Sequence, residues 1–105
     1  WDEHDASSVH AVAWWENSPV GTARLLPQGK IGRMAVLPEF RSRGIGKALL
    51  LALLNVARQQ NMKTLRLSAQ QQAIEFYSRH GFAPDGPAHM EVGIPHQWMV
   101  LNLTT

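Results

Sequence analysis

Three short stretches near the start of the chain are rich in apolar, branched and aromatic residues, a composition suited to the pleated surface of a sheet. They cover residues 10–15, 20–26 and 30–37, and turn-forming residues separate them at Asn17-Ser18-Pro19 and at Pro27-Gln28-Gly29. Short strands joined by such turns pair with their neighbours along the chain. The pattern therefore predicts an antiparallel meander of three strands.

A longer apolar pattern follows between residues 44 and 60. Its apolar residues recur at spacings of three and four, which gives a helix one apolar face. Leu50, Leu51 and Leu54 widen that face, so we expect the helix to be largely buried. The residues that set the spacing are Ile45, Leu49, Ala52, Leu53 and Val56.

The second half of the chain predicts a strand, a helix and a final hairpin. Residues 64–69 are short, branched and alternating, and a strand–helix–strand order implies a parallel pair joined by a right-handed crossover. Residues 71–80 read as a second helix capped by a left-handed Gly81, and residues 97–103 as the last strand. The expected fold is mixed α/β (α+β), with a central, mostly antiparallel sheet that contains one parallel strand pair.

Composition narrows the class of protein. The 105 residues are 45% hydrophobic and 17% charged, which suits one globular domain over residues 1–105 and excludes a disordered chain. The absence of cysteine excludes thiol catalysis and cysteine-ligated metals, and fits a reducing cytoplasm. No apolar run approaches the ~20 residues of a membrane span, and no signal peptide is visible. We therefore expect a cytoplasmic protein with no membrane partner.

Positive charge is concentrated in one part of the chain. The net charge is only +2, but six basic residues and a single acid, Glu39, lie between Arg24 and Lys47. Such a local field suits an anionic small ligand or an anionic polymer. A nucleic-acid-binding domain is one interpretation, with salt-steep binding as its signature. The small net charge and the lack of a nucleic-acid motif argue against it, so we expect no nucleic-acid partner.

The segment Arg41-Ser42-Arg43-Gly44-Ile45-Gly46-Lys47-Ala48 carries the most chemical information, because it follows a strand and opens the long helix. A helix start offers unpaired N–H groups and partial positive charge, and glycines let a ligand approach the backbone. These features predict a pyrophosphate site, with added charge from Arg41, Arg43 and Lys47. The dinucleotide and Walker patterns do not fit, since Leu49 stands where the former needs glycine and Ala48 where the latter needs serine or threonine.

At this point the sequence resembles a known family, the GCN5-related N-acetyltransferases (GNAT). The first matching motif is Arg41-x-x-Gly44-x-Gly46, and the second is A-x-x-F-Y-x-x-x-G-F from Ala73 to Phe82. A third, E-x-G-I-P-H from Glu91 to His96, is similar to the ElaA-like subgroup, as is V-G-T-A-R from Val20 to Arg24. The resemblance spans residues 20–103.

The resemblance implies acetyl-CoA as cosubstrate and no metal. The parallel strand pair would splay into a V-shaped cleft. One of its strands, through Met34, Ala35 and Val36, would pair with the pantetheine arm, and an N–H near Val36 would serve as oxyanion donor. The remaining cofactor contacts would come from Arg41 and from the backbone between Arg43 and Ala48, that is Arg43, Gly44, Ile45, Gly46, Lys47 and Ala48.

Three residues are candidates for proton transfer. Tyr77 matches the position from which family members protonate the departing CoA thiolate, although an aromatic at helical spacing is otherwise a core residue. Glu91 and His96 are alternative bases for the acceptor amine, and each could instead be a solvated or locally capping side chain. His89 and His96 lack the spacing of a helical zinc site, so no metal is expected.

The expected function is acetyl transfer from acetyl-CoA to an amine, on a small molecule or a protein, by direct attack in a ternary complex. The alternative is a non-catalytic CoA-binding or regulatory module with the same fold. Family members carry a strand and helices before the first strand predicted here, so we expect a domain truncated at its N-terminus. A sheet left uncovered in this way would favour a homodimer.

Overall fold

Residues 8–103, apart from the side chain of Arg33, are described by a computed structural model and fall into two compact units, the first ending at Met62 and the second starting at Lys63. The first unit holds three strands, β1 (Val9–Trp15), β2 (Ser18–Leu25) and β3 (Ile31–Val36), which form an antiparallel sheet in the order β1-β2-β3. A short 3-10 turn at Pro38–Phe40 leads to helix α1 (Ile45–Gln59). The predicted meander and long helix are thus confirmed.

Helix α1 packs on β2 through a glycine. A Cβ added to Gly21 would lie 3.1 Å from both Ile45 Cγ2 and Leu49 Cδ1. That spacing is too close for most side chains, so the glycine allows the first turns of α1 to lie directly on the strand. The start of the helix is therefore fixed against the sheet at the place where the sequence predicts a phosphate site.

The buried face of α1 is rotated from the predicted one. Leu49 and Leu53 are buried as expected, but Ala52 and Leu51 are exposed, and Ile45 and Val56 are half-buried. The buried positions still recur at spacings of three and four, as one apolar face of a helix does, but the face is turned toward Leu50, Leu54 and Ala57. The residues that form its buried face are Leu49, Leu50, Leu53, Leu54 and Ala57.

The second unit contains four strands and one short helix. The elements are β4 (Thr64–Gln70), a 3-10 turn (Gln71–Ala73), α2 (Ile74–Ser78), β5 (Ala83–Pro84), β6 (His89–Glu91) and β7 (Ile94–Asn102). β7 is the central strand, with β4 on one side and β5 and β6 on the other, and each of these pairs is antiparallel. The left-handed Gly81, with φ of 94°, confirms the predicted cap.

Two boundaries differ from those predicted. The second helix is only five residues long, because the 3-10 turn takes up the first three residues of the predicted segment. The last strand begins at Ile94 rather than Gln97, since Val92 and Gly93, with φ of 51° and 75°, form a tight turn that lets β6 pair with it. This earlier start brings His96 into a strand rather than a loop.

The architecture is a mixed α+β fold, as predicted. The strands on either side of α1 belong to different sheets, and the ladders found within residues 8–103 are all antiparallel. The expected parallel partner of β4 is therefore not joined to it by a ladder, and β4 takes its ladder hydrogen bonds from β7 along its whole length. Over the same residues, no helix has the length and apolarity to cross a membrane.

Candidate functional site

The loop before α1 adopts a backbone conformation that exposes the start of the helix. Ser42 and Gly44 are both left-handed, with φ of 64° and 81°. The N–H of Ala48 makes the hydrogen bond to the Gly44 carbonyl, over 3.0 Å, that begins the helical pattern. The amides of Ile45, Gly46 and Lys47 precede this bond and belong to the first turn, whose N–H groups have no partner inside a helix.

The surroundings of this turn are open and cationic. A Cβ added to Gly44 would meet nothing within 4 Å, so the approach to the backbone is clear. Lys47 and Arg43 are exposed beside it, and the Arg43 guanidinium lies over the rings of Trp15 and Phe40 at 5.4 and 5.6 Å. Cation–π contacts of this kind hold the charge near the loop. The predicted residues from Arg41 to Ala48 thus form this loop and the first turn of α1.

The edge of β3 contributes a second feature. Leu37 N–H bonds to the Val20 carbonyl over 2.9 Å. Because N–H groups alternate along an antiparallel strand, the N–H and carbonyl of Val36 point to the opposite edge, away from β2. The Nε of Arg41 donates to that Val36 carbonyl over 3.1 Å. Met34 and Ala35, the other predicted residues of this strand, precede Val36 in β3, and Ala35 pairs with Thr22.

An open groove of about 500 Å³ lies beside this edge. Its walls are mostly apolar, and Arg41 is the charged residue that lines it. Grooves of this size and character suit a small organic ligand with a few polar contacts. Gly21, Ala35, Val36 and Arg41 are among the residues that line it.

Tyr77 lies in α2, half-buried among aromatic side chains. Its ring contacts Phe76 and Phe82 with centroid distances of 5.1 and 5.9 Å. Burial raises the pKa of the Tyr77 phenol above its ordinary value of 10.0, so the hydroxyl stays protonated through the neutral range. The ring contacts suit a core residue and the protonated hydroxyl suits a proton donor, so the surroundings of Tyr77 are compatible with both of its predicted roles.

Glu91 ends β6, and its carboxylate is held by two neighbours. The Ser68 hydroxyl donates to Glu91 Oε2, and His89 Nε2 lies 2.6 Å from the same oxygen. These hydrogen bonds, with Ser68 the larger cause, lower the pKa of the Glu91 carboxyl below its ordinary value of 4.5. The carboxylate remains about two-fifths exposed and is therefore accessible.

His96 lies in β7 opposite His89, and the two ring centroids are 6.0 Å apart. Its Nδ1 is 2.8 Å from the Ile94 carbonyl, which only accepts hydrogen bonds. Nδ1 therefore carries the proton in the neutral ring, and Nε2 carries the lone pair. The structure thus brings the predicted Glu91 and His96 together on one face of the second sheet.

Two residues of this cluster, Ser68 and His89, were not predicted as functional. The sequence does contain a signal for His89: it lies two residues before Glu91, and residues at that spacing share one face of a strand. The position of Ser68 depended on the register between β4 and β7, in which Ser68 pairs with Trp98. Among residues 8–103, no set of three side chains is grouped as a metal site requires.

Comparison of the sequence with known proteins points to acetyltransferases. The family model described as an acetyltransferase (GNAT) domain matches residues 2–103. A protein of Bacillus subtilis strain 168, whose name describes it as a candidate acetyltransferase, is 36% identical over 93 residues, which is 86% of this chain. The chain spans 63% of that relative, a little under two-thirds of its length.

Solved structures share the fold. The crystal structure of Escherichia coli ElaA matches 96% of this chain and 74% of its own with a TM-score of 0.86 at 27% identity. A GNAT family acetyltransferase from Elizabethkingia anophelis, solved with acetyl-CoA bound, matches 96% of this chain and 80% of its own. Its TM-score is 0.78 and its identity 19%, so this likeness concerns the fold.

Proposed function

This chain belongs to the GNAT acetyltransferase family, and from that premise we propose that it transfers the acetyl group of acetyl-CoA to an amine acceptor by direct attack in a ternary complex. The observation that carries the proposal is the left-handed Gly44 before α1, which leaves the first-turn amides open beside two exposed cations. A related fold solved with acetyl-CoA bound supports the same cosubstrate.

The diphosphate of the cosubstrate binds at the start of α1. The backbone N–H groups from Arg43 to Lys47 surround it, Ala48 lies next to them with its own N–H bonded to the Gly44 carbonyl, and Lys47 and Arg43 add full charges. The pantetheine arm then follows β3 past Met34 and Ala35, next to the open apolar groove. The outward N–H of Val36 donates to the thioester oxygen as negative charge develops there.

The reaction releases two protons from the acceptor ammonium. A base removes the first, and the neutral nitrogen attacks the thioester carbon, forming the C–N bond. Collapse of the tetrahedral intermediate breaks the C–S bond, and Tyr77 donates its proton to the departing thiolate sulfur. The tyrosinate recovers a proton from the new amide nitrogen, and the protonated base passes the other proton to water. The balance is one amide, one CoA thiol and one proton.

Glu91 and His96 are the bases available to the acceptor. Both lie on one face of the second sheet, and the carboxylate is partly exposed. The acceptor is a small-molecule amine or an amine of a protein.

The experiment that tests the proposal measures CoA thiol release with acetyl-CoA and a panel of amines, in parallel with calorimetric binding of acetyl-CoA. Tyr77→Phe should lower kcat by about 10²- to 10⁴-fold and leave the Kd of acetyl-CoA within about twofold, because only the proton donor is lost. Phe76→Leu is the matched control, since it alters packing against the Tyr77 ring and keeps the hydroxyl. Binding of acetyl-CoA without any turnover would instead support a non-catalytic CoA-binding module.

A further inference from the structure

One cation beside the start of α1 lies over two aromatic rings, and all three side chains belong to the first unit. The guanidinium carbon Cζ of Arg43 is 5.4 Å from the centroid of the Trp15 ring and 5.6 Å from that of the Phe40 ring. The two ring centroids are 5.7 Å apart, and the ring planes are tilted by 51°. Because these three distances are nearly equal, the guanidinium contacts both rings at once. We call Trp15 and Phe40 the aromatic pair.

The first ring of the aromatic pair comes from the end of a strand. Trp15 is the last residue of β1. The ladder between β1 and β2 shifts by one residue just before the two tryptophans, which leaves Val20 without a partner on β1. A bulge of this kind bends a strand and redirects its side chains. The N–H of Leu37 bonds to the carbonyl of the same Val20 over 2.9 Å, so the loop that follows β3 starts beside the bulge.

The second ring comes from that loop. The N–H of Phe40 bonds to the Leu37 carbonyl over 2.9 Å and closes the 3-10 turn at Pro38–Phe40. Arg43 follows three residues later, immediately before the left-handed Gly44. The aromatic pair therefore joins the end of β1 to the loop before α1, and the guanidinium lies over both rings at this junction.

The charge and the donors of Arg43 are available to a ligand. Its side chain is exposed, and none of the ion pairs found within residues 8–103 includes it. Arg41, by contrast, uses its Nε to bond the Val36 carbonyl. An aromatic ring attracts a cation through its face, whereas the five N–H donors of a guanidinium lie in the guanidinium plane. Contact with the aromatic pair therefore does not consume the donors that an oxyanion would need.

The aromatic pair also restricts the Arg43 side chain before any ligand arrives. Ordering a long side chain on binding costs conformational entropy, and a side chain that is already ordered loses less. Lys47 is exposed beside the same helical turn, and within residues 8–103 it lies over no aromatic ring. Of these two cations, Arg43 is therefore the one that the protein orders in advance.

We propose that Trp15 and Phe40 are positioning residues for the cosubstrate, because they hold the Arg43 guanidinium beside the first turn of α1 with its donors open to phosphate oxygens. This inference rests on the proposed function and extends the cosubstrate site to β1. The group that Arg43 binds is a phosphate of the nucleotide end of acetyl-CoA, in the diphosphate or on the 3′-oxygen, through charge-assisted hydrogen bonds. The rings act through Arg43.

The first test observes the Arg43 side chain in the absence of ligand. In ¹H–¹⁵N spectra of the ¹⁵N-arginine-labelled chain, the Nε–H signal of Arg43 should lie upfield of that of the exposed Arg58, because ring currents shield protons over an aromatic face. Arg43→Gln and Arg58→Gln assign the two signals. Trp15→Leu should move the Arg43 signal toward that of Arg58, and Trp15→Phe should retain most of the shift. Coincident signals in the wild-type chain would overturn the inference.

The second test measures acetyl-CoA binding by calorimetry. Trp15→Leu should raise the Kd by about 2- to 5-fold, the effect of one exposed cation–π contact, and Trp15→Leu combined with Phe40→Leu by about 5- to 30-fold. Trp15→Phe, which keeps a ring, should restore the Kd to within about twofold of the wild-type value. Trp14→Leu is the matched control, since Trp14 is adjacent and 64% exposed but lies under no cation within residues 8–103, and its Kd should be unchanged.

A double-mutant cycle distinguishes positioning from a general structural role. In an Arg43→Gln background the substitutions of the aromatic pair should have no further effect on the Kd, because they act through the guanidinium. The same fold-change in both backgrounds would overturn the inference while the acetyl-CoA site stands. No binding of acetyl-CoA by the wild-type chain would overturn the proposed function, and the inference with it.

The same cycle with acetyl-dephospho-CoA, which lacks the 3′-phosphate, identifies the phosphate that Arg43 binds. An effect of Trp15→Leu that persists with this ligand supports the inference with the diphosphate as the bound group. An effect seen with acetyl-CoA alone supports it with the 3′-phosphate. The absence of any effect of the aromatic pair with either ligand would overturn the inference.

Discussion

The Nε of Arg41 donates a hydrogen bond to the carbonyl oxygen of Val36 over 3.1 Å, and so fastens the loop before α1 to the outer edge of β3. The carbonyl it reaches belongs to the residue whose N–H we assign to the thioester oxygen. In the proposed complex, Arg41 would therefore add charge near the diphosphate and also order the strand edge on which the cosubstrate would lie.

Arg41→Lys separates these two roles. The lysine keeps the charge but lacks the planar fork of donors that reaches the Val36 carbonyl. We expect Arg41→Lys to weaken acetyl-CoA binding by about 3- to 10-fold, close to the loss in Arg41→Gln, since the hydrogen bond is lost in both. Calorimetric titration of the two variants checks this. Wild-type affinity in Arg41→Lys would mean that charge alone matters.

Gly44→Ala tests the left-handed loop. A Cβ at Gly44 meets nothing within 4 Å, but its φ of 81° is strained for alanine, so the free energy of unfolding should fall by about 1–2 kcal/mol. Because this left-handed residue sets how the loop enters the helix, a strained loop should also bind acetyl-CoA more weakly. Urea unfolding and calorimetry measure the two effects.

Gly32→Ala is the control for that substitution. Gly32 also has open space around a built Cβ, and its φ is not positive, so its replacement should change stability by less than about 1 kcal/mol and leave acetyl-CoA binding intact. Equal losses in the two variants would contradict a special conformation at Gly44.

Because the buried face of α1 is rotated from the predicted one, we expect two adjacent leucines to contribute very differently to stability. Leu50 is fully buried and Leu51 is 44% exposed. Leu50→Ala should lower the free energy of unfolding by about 2–5 kcal/mol, because it leaves a cavity in the core. Leu51→Ala should cost less than about 1 kcal/mol. Denaturant unfolding of the two variants decides which face is buried, and a larger loss in Leu51→Ala would reverse the assignment.

The Glu91 hydrogen bonds predict a pH-dependent contribution to stability. The pKa of Glu91 is lowered on folding from its ordinary 4.5, so its contribution is present above that value and is lost as the pH falls through the folded pKa. The difference in unfolding free energy between wild type and Glu91→Gln should therefore shrink between about pH 5 and pH 2. Urea unfolding across that range measures it, and a difference independent of pH would argue against these hydrogen bonds.

The features that depend on local signals could be predicted from the sequence. The turns at Asn17-Ser18-Pro19 and Pro27-Gln28-Gly29 set the meander. The loop before α1 was also predictable, because its conformation depends on a local left-handed glycine, Gly44. The buried face of α1 could not be predicted in this way, because every position from Leu49 to Leu54 is apolar and packing against the sheet decides which of them are buried.

The site residues that could not be predicted from the sequence depend on how the strands pair. The pairing of Ser68 with Trp98 and of His89 with His96 places these four side chains on the same face as Glu91. Ser68 and Trp98 lie far apart in the sequence, and the local pairing of His89 with His96 depends on a two-residue turn, so alternation alone aligns neither pair. The short turn at Val92-Gly93 sets the pairing of His89 with His96. This turn was not predicted, because Val92 has a φ of 51°, which is unusual for a residue other than glycine. The resemblance of the E-x-G-I-P-H motif pointed to Glu91 and His96, and their partners came only from the fold.

The assignment of the α1 start to a diphosphate is tested most directly by calorimetric comparison of three ligands: acetyl-CoA, acetyl-dephospho-CoA, which keeps the diphosphate, and acetyl-pantetheine, which lacks it. The first two should bind within about tenfold of each other, and acetyl-pantetheine should bind at least about 100-fold more weakly than acetyl-CoA, as expected from losing two or more charge-assisted hydrogen bonds. Equal affinity for acetyl-CoA and acetyl-pantetheine, or no binding of acetyl-CoA at all, would contradict the assignment.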